Sequence, residues 1–265
     1  MDQESQKNII GIVGGMGPVA GIDLASKIIS QTIASRDQEH LPFLLHSFPN
    51  EIRDRTAYIL GRLHDSATDA ENPGVAIARI LMQMEQAGVT IAGMACNSAH
   101  APVIFDRIVS ELRASQSKIN LLHMVREVGW HIMYHLAGVR KVGILGTTGT
   151  RASKLYDMLE EFGLEVVDVT EEEQEQLQSV IYDPEYGIKS TPDGRSPGAV
   201  KIMGGICQSL NKRGADAIVF GCTEFPLAYQ EPRIEGLPVV DSSLVLARAL
   251  VRACDPGKLR PVRHE

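Results

Sequence analysis

Cys96 and Cys222 are the residues of this chain best suited to chemistry. The first lies in Met94-Ala95-Cys96-Asn97-Ser98-Ala99-His100 and the second in Phe220-Gly221-Cys222-Thr223-Glu224-Phe225. Each follows a short apolar run and precedes small hydroxyl or amide side chains. This pattern puts a thiol at the carboxyl end of a buried strand, where open α/β sheets bind their ligands. A free cysteine ionises near pH ~8.5, and a helix N-terminus lowers that value. Both thiols, set between a strand end and a following helix, are therefore expected to favour the thiolate. A thiolate on one face of a substrate carbon can remove a proton while a thiol on the other face supplies one. That pairing inverts a stereocentre by general acid–base catalysis, provided that nearby donors stabilise a carbanion-like transition state. Backbone amides and the side chains of Asn97, Ser98 and Thr223 are placed to bind a carboxylate that acquires enolate character. His100 is a further candidate anion donor. A lone cysteine after a strand is ordinarily a small buried hydrophobe, the reading that Cys207 and Cys254 keep within their helical patterns. Two thiols in matching contexts argue for function.

The elements that must carry these residues are legible as alternating strands and helices. Strands are predicted at 9–13, 43–46, 90–94, 119–124, 141–145, 165–169, 217–220 and 237–240. Gly88, Gly138, Gly163 and Gly214 each fall between a helical stretch and a strand, where a left-handed residue closes the helix. Asn72-Pro73 and Ser196-Pro197 read as an N-cap followed by proline at the first helical position, and Thr170 with Glu173 has capping-box spacing. Such alternation implies parallel sheets covered on both faces. A short internal repeat aligns Gly11-Ile12-Val13-Gly14-Gly15-Met16-Gly17 with Gly143-Ile144-Leu145-Gly146-Thr147-Thr148-Gly149. The first glycine of each run precedes its cysteine by 85 and 79 residues.

The expected fold class is therefore α/β: two pseudo-symmetric Rossmann-like lobes with parallel sheets and the active site in the cleft between them. Residues 1–117 with 235–265 are expected to form a discontinuous first lobe, closed by a final helix at 243–254, and residues 118–234 the second. The segment 183–198, rich in Pro, Gly and Ser, is expected to be a surface loop long enough to cover the cleft, with Lys189 on it.

At 265 residues, 44% hydrophobic and 22% charged, the chain has the composition of a soluble globular protein. Its net charge of −7 argues against a nucleic-acid or acidic-membrane partner. No apolar run reaches the ~18 residues of a membrane span, residues 1–7 lack a signal-peptide core, and four dispersed cysteines fit a reducing, cytoplasmic setting. No metal-ligand cluster appears. The glycine turns match neither G-x-G-x-x-G nor the P-loop spacing.

Taken together, Gly14-Gly15-Met16-Gly17-Pro18, Arg53-Asp54-Arg55-Thr56, Ala95-Cys96-Asn97-Ser98-Ala99-His100 and Gly221-Cys222-Thr223-Glu224 resemble the aspartate/glutamate racemase superfamily, and within it the cofactor-independent aspartate racemases. The resemblance runs from Ile10 to about Leu250. It implies two similar α/β lobes, a cysteine acid/base pair, no cofactor, and commonly a homodimer. It also implies that an arginine of the Arg-Asp-Arg-Thr run and the later-loop lysine bind the side-chain carboxylate, which become Arg55, with Arg53 competing, and Lys189. Met16, Thr147 and Glu224 join as substrate contacts. Glutamate racemases differ in carrying Asp-Ser-Gly at the first turn and Thr-His after the second cysteine.

The expected activity is thus interconversion of L- and D-aspartate, with glutamate second. Hydantoin racemisation, maleate isomerisation and malonate decarboxylation are alternatives within the superfamily. A non-catalytic amino-acid-binding protein is the alternative outside it.

Overall fold

In the computed structural model, which describes residues 8–262, strands and helices alternate from end to end. The first lobe runs through β1 (Ile10–Val13), α1 (Pro18–Gln31), β2 (Phe43–His46), α2 (Arg55–Leu63), α3 (Pro73–Gln86), β3 (Ile91–Met94), α4 (Pro102–Ala114) and β4 (Asn120–Leu121). Helix α5 (Met124–His135) leads into the second lobe, made of β5 (Lys141–Gly146), α6 (Thr148–Ala152), β6 (Glu165–Val167), α7 (Glu171–Tyr182), α8 (Pro197–Lys212), β7 (Ala217–Gly221), α9 (Phe225–Ala228), β8 (Arg233–Ile234) and β9 (Leu237–Asp241). Helix α10 (Ser242–Cys254) follows.

The two sheets repeat one plan. The first has the order β2-β1-β3-β4, and the second β6-β5-β7-β9 with β8 added antiparallel at the edge. All other pairings are parallel. In each sheet the glycine-turn strand (β1 or β5) lies beside the cysteine strand (β3 or β7), as the internal repeat requires. β1 and β3 are buried along their whole length, and so is β7. This explains why they read as continuous apolar runs rather than alternating ones.

Local chemistry sets the helix starts. Asn72 accepts from Gly74 N, Ser196 accepts from Ala199 N, and Thr170 forms a capping box with Glu173. Each such cap contributes about 1 kcal/mol. The predicted strand at 119–124 is shorter in the structure. His123 accepts from Arg126 N and starts α5 at Met124, leaving only two residues to pair.

The boundaries between lobes also differ from those expected. β4 hydrogen-bonds to the first sheet, through Asn120 N to Thr90 O and Leu122 N to Ala92 O, so residues 118–122 belong there. β9 pairs with β7, so residues 237–241 belong to the second sheet rather than the first lobe. Only then does the chain return. Leu246, Ala247, Leu250 and Val251 of α10 pack with Leu24 and Ile28 of α1 under the first sheet. Val245 faces the other way, into the core of the second lobe with Val125 and Val128 of α5. Helices α5 and α10 thus tie the lobes together. Among the described residues no helix is long and apolar enough to cross a membrane.

Candidate active site

The carboxyl ends of β1, β3, β5 and β7 converge between the lobes, and the segments that follow them line one cavity. Met16, Arg55, Cys96, Asn97, Ser98, Thr147, Lys189, Cys222, Thr223 and Glu224 all border it. Apart from His100 and Arg53, the residues expected to act on or touch substrate are therefore brought together, including both thiols. Thr56, Tyr182 and Gly221 complete the lining.

Arg55 is aimed by the backbone. Its Nη2 donates to Met16 O at 2.9 Å and its Nη1 to Arg53 O at 3.1 Å. Its Nε is buried with no hydrogen-bond partner. Burial opposes its charge, but the neighbouring Cys96 and Asp54 outweigh that, and the guanidinium is held above its ordinary range. Asp54 also caps α2, accepting from Ala57 N, and Gly149 lets α6 approach: a Cβ there would lie 2.8 Å from Thr56 Cα. Arg53 points elsewhere. It is exposed and ion-paired with Glu71, outside the cavity lining. Of the two candidate arginines, only Arg55 reaches the site.

Lys189 sits on a single 3-10 turn, Ile188–Ser190, in the segment expected to cover the cleft. Its Nζ donates to Glu224 Oε1 and stands 5.8 Å from the centre of the Tyr182 ring. Ser196 Oγ donates to Tyr186 O and closes this segment on itself.

The polar residues beside the thiols are already engaged. Asn97 Oδ1 accepts from Tyr156 OH at 2.7 Å, and its Nδ2 donates to Ser242 Oγ at 3.1 Å. Ser242 Oγ in turn donates to Phe220 O at 2.7 Å. The first cysteine segment is thereby fastened to the strand that carries the second. Thr223 Oγ1 adds a bond to Ala95 O at 3.3 Å. Ser98 Oγ lies 3.3 Å from Thr147 Oγ1 and 3.2 Å from Thr150 Oγ1, a second hydroxyl cluster spanning the lobes. Tyr156, Thr150 and Ser242 are contributions the sequence reading missed. Tyr156 is 59 residues from Asn97 and Ser242 is 145, and no local pattern marks either.

Two expectations are corrected. His100 does not face the cavity. Its Nδ1 lies 2.9 Å from Cys96 O, and its ring packs against Phe105 and His123. Burial pushes it down to about 3, so it is a neutral group that holds the Cys96 backbone. Cys222 is not poised as a thiolate. Burial first, then the Glu224 carboxylate, push it up to about 12, overriding the opposing Glu224 backbone N–H and the Lys189 charge. It rests as a thiol.

Two thiols thus face one cavity, with two cations and one carboxylate beside them. The sequence pattern of the Asp/Glu/Hydantoin racemase family matches residues 13–250, and the chain belongs to that family. It is an amino-acid racemase of the superfamily. Among its relatives is the broad specificity amino-acid racemase RacX of Bacillus subtilis, 26% identical over 253 residues that span 92% of this chain and 96% of that one. Glutamate racemase of Pseudomonas entomophila is 25% identical over 247 residues, 91% of this chain and 77% of that one. The aspartate racemase of Picrophilus torridus superposes with a TM-score of 0.75 at 27% identity, covering 96% of each chain.

Proposed function

We propose that the protein racemises an amino dicarboxylate, aspartate before glutamate, by proton transfer between Cys96 and Cys222 without a bound cofactor. The observation that carries this is the placement of both thiols on one cavity with Arg55 and Lys189. Cys96 acts as base for the enantiomer whose α-proton faces it. The C–H bonding pair passes to the α-carbon as the proton moves to sulfur, and the resulting enediolate takes its new proton from the Cys222 S–H on the opposite face. Cys96 is left as the thiol and Cys222 as the thiolate, the form that accepts the other enantiomer. Asn97, Ser98, Thr147 and Thr223, with nearby backbone amides, stabilise the enediolate. Met16 walls the site and anchors Arg55 through its carbonyl. Arg55 and Lys189 take the side-chain carboxylate, where a guanidinium with a free Nε offers a charge-assisted hydrogen bond.

Chiral chromatography after incubation with L-aspartate, L-glutamate, L-alanine, a 5-substituted hydantoin and maleate tests the reading. Aspartate should turn over fastest. Turnover confined to the hydantoin or maleate would replace it.

We assign the protein a homodimeric form. The solvent side of α1 carries Val19, Ile22 and Ile29, and Ile33, Phe43 and Phe48 are exposed just after α1, on the edge strand β2 and just beyond it. At 37–61% exposure, these six side chains present on the order of 500 Å² of apolar surface, a large part of the ~800 Å² that each partner gives a stable interface. Exposed apolar edges are ordinarily covered. Sedimentation should show two copies, and Ile22→Glu should yield monomers. A monomeric parent protein would overturn the assignment.

A further inference from the structure

Glu224 is the one carboxylate among the residues that line the cavity. It is 3% exposed, its partner is Lys189, and the pair lies against the first glycine turn. A Cβ on Gly17 would come within 2.9 Å of Lys189 Nζ and 3.0 Å of Glu224 Oε1, so a residue without a side chain leaves room for the pair. The two partners are not held alike. Glu224 immediately precedes α9 in the body of the second lobe, with its side chain 4% exposed. Lys189 reaches in from the 3-10 turn between α7 and α8 on a four-carbon stem, its side chain 29% exposed. The carboxylate is the fixed member and the ammonium the movable one.

An α-amino acid places an ammonium on the very carbon whose proton is exchanged. Burying that charge without a counter-ion is strongly unfavourable. The other charged side chains bordering the cavity, Arg55 and Lys189, are both cations. We propose that Glu224 is the subsite for the substrate's α-ammonium, and that it exchanges partners: Lys189 in the free enzyme, the substrate ammonium in the complex. The exchange releases Lys189 to the substrate's side-chain carboxylate. The charges then balance. Before either thiol ionises, Arg55 and Lys189 against Glu224 leave one positive charge, and aspartate or glutamate at neutral pH carries one negative.

This inference rests on the amino-dicarboxylate reading and adds which group each charge receives. Calorimetric binding of L-aspartate and of succinate, the same dianion without the ammonium, separates the two. The unmodified protein should bind aspartate more tightly than succinate. Glu224→Gln, of nearly the same shape, should weaken aspartate at least tenfold while succinate binds as well as before or better. Equal losses for both ligands in Glu224→Gln, or equal affinities in the unmodified protein, would overturn the ammonium subsite while leaving the dicarboxylate reading intact. If the unmodified protein binds neither ligand, the dicarboxylate reading falls and this inference falls with it.

Discussion

The two lobes share a strand order but surround their thiols with opposite charge. In the first lobe Cys96 has the Arg55 guanidinium beside it. In the second, Cys222 sits two residues before a buried glutamate and is pushed up to about 12 by burial and that charge. The repeated fold therefore explains why two thiols face one cavity, but not why they differ. The difference comes from residues outside the repeat: an arginine at the start of α2 and a glutamate after β7. A symmetric scaffold thus sets its two thiols in asymmetric electrostatic surroundings.

The largest test of this comparison is to remove one thiol. Cys222→Ala should lower racemisation by about 10³-fold or more. The remaining Cys96 should still exchange the α-proton of one enantiomer with solvent, without inversion. Cys96→Ala should show the same loss with the opposite preference. Chiral assay together with deuterium wash-in reads both, and normal turnover by either variant would remove the two-thiol account. Next in size is Arg55→Ala. Loss of a charge-assisted carboxylate contact should reduce kcat/KM for aspartate about 100-fold more than for alanine. Equal losses would mean that Arg55 serves only to hold the Met16 turn. A smaller effect concerns the thiol itself. Glu224→Gln removes a like charge from the neighbourhood of Cys222, so its alkylation should begin at lower pH, whereas Lys189→Ala should move it higher. Mass spectrometry of iodoacetamide-treated protein across pH resolves the two cysteines, and unchanged onset in both variants would refute the electrostatic contrast.

The smallest effect lies away from the chemistry. His100 is buried and held down to about 3, so the unfolded chain binds its proton more readily than the folded one. Stability from this group is complete above the unfolded value near pH ~6.5 and is lost as pH falls below it, by about 2 kcal/mol at pH 5. Denaturant unfolding at pH 7 and 5 should show this slope, and His100→Gln should reduce it by about that amount, leaving the part from His123 and His131, which burial pushes down to about 4.

Much of this arrangement could be read in the sequence, because it is carried by local signals. Continuous apolar runs mark the buried parallel strands, caps such as Asn72, Thr170 and Ser196 mark helix starts, and the small polar residues after each cysteine mark strand ends at a cleft. What could not be read depends on contacts between distant segments. Tyr156 and Ser242 meet Asn97 only once both lobes are folded and docked. The lobe boundaries were misplaced because β4 and β9 are short strands whose sheet is chosen by pairing, not by composition. Likewise, His100 follows Cys96 closely in sequence, yet its ring turns into the apolar cluster of Phe105 and His123. The raised Cys222 escaped for the same reason: its helix-start setting is local, whereas its burial is a product of the assembled cleft.

The central claim is that two thiols exchange an α-proton across one cavity. Incubating reduced, unmodified protein with L-aspartate in D₂O, with no cofactor added, tests it most directly when the α-proton resonance and the chirality of the product are followed together. Disappearance of the α-proton signal with matching growth of deuterated D-aspartate is the expected result. Folded, reduced protein that leaves the α-proton in place would contradict the claim.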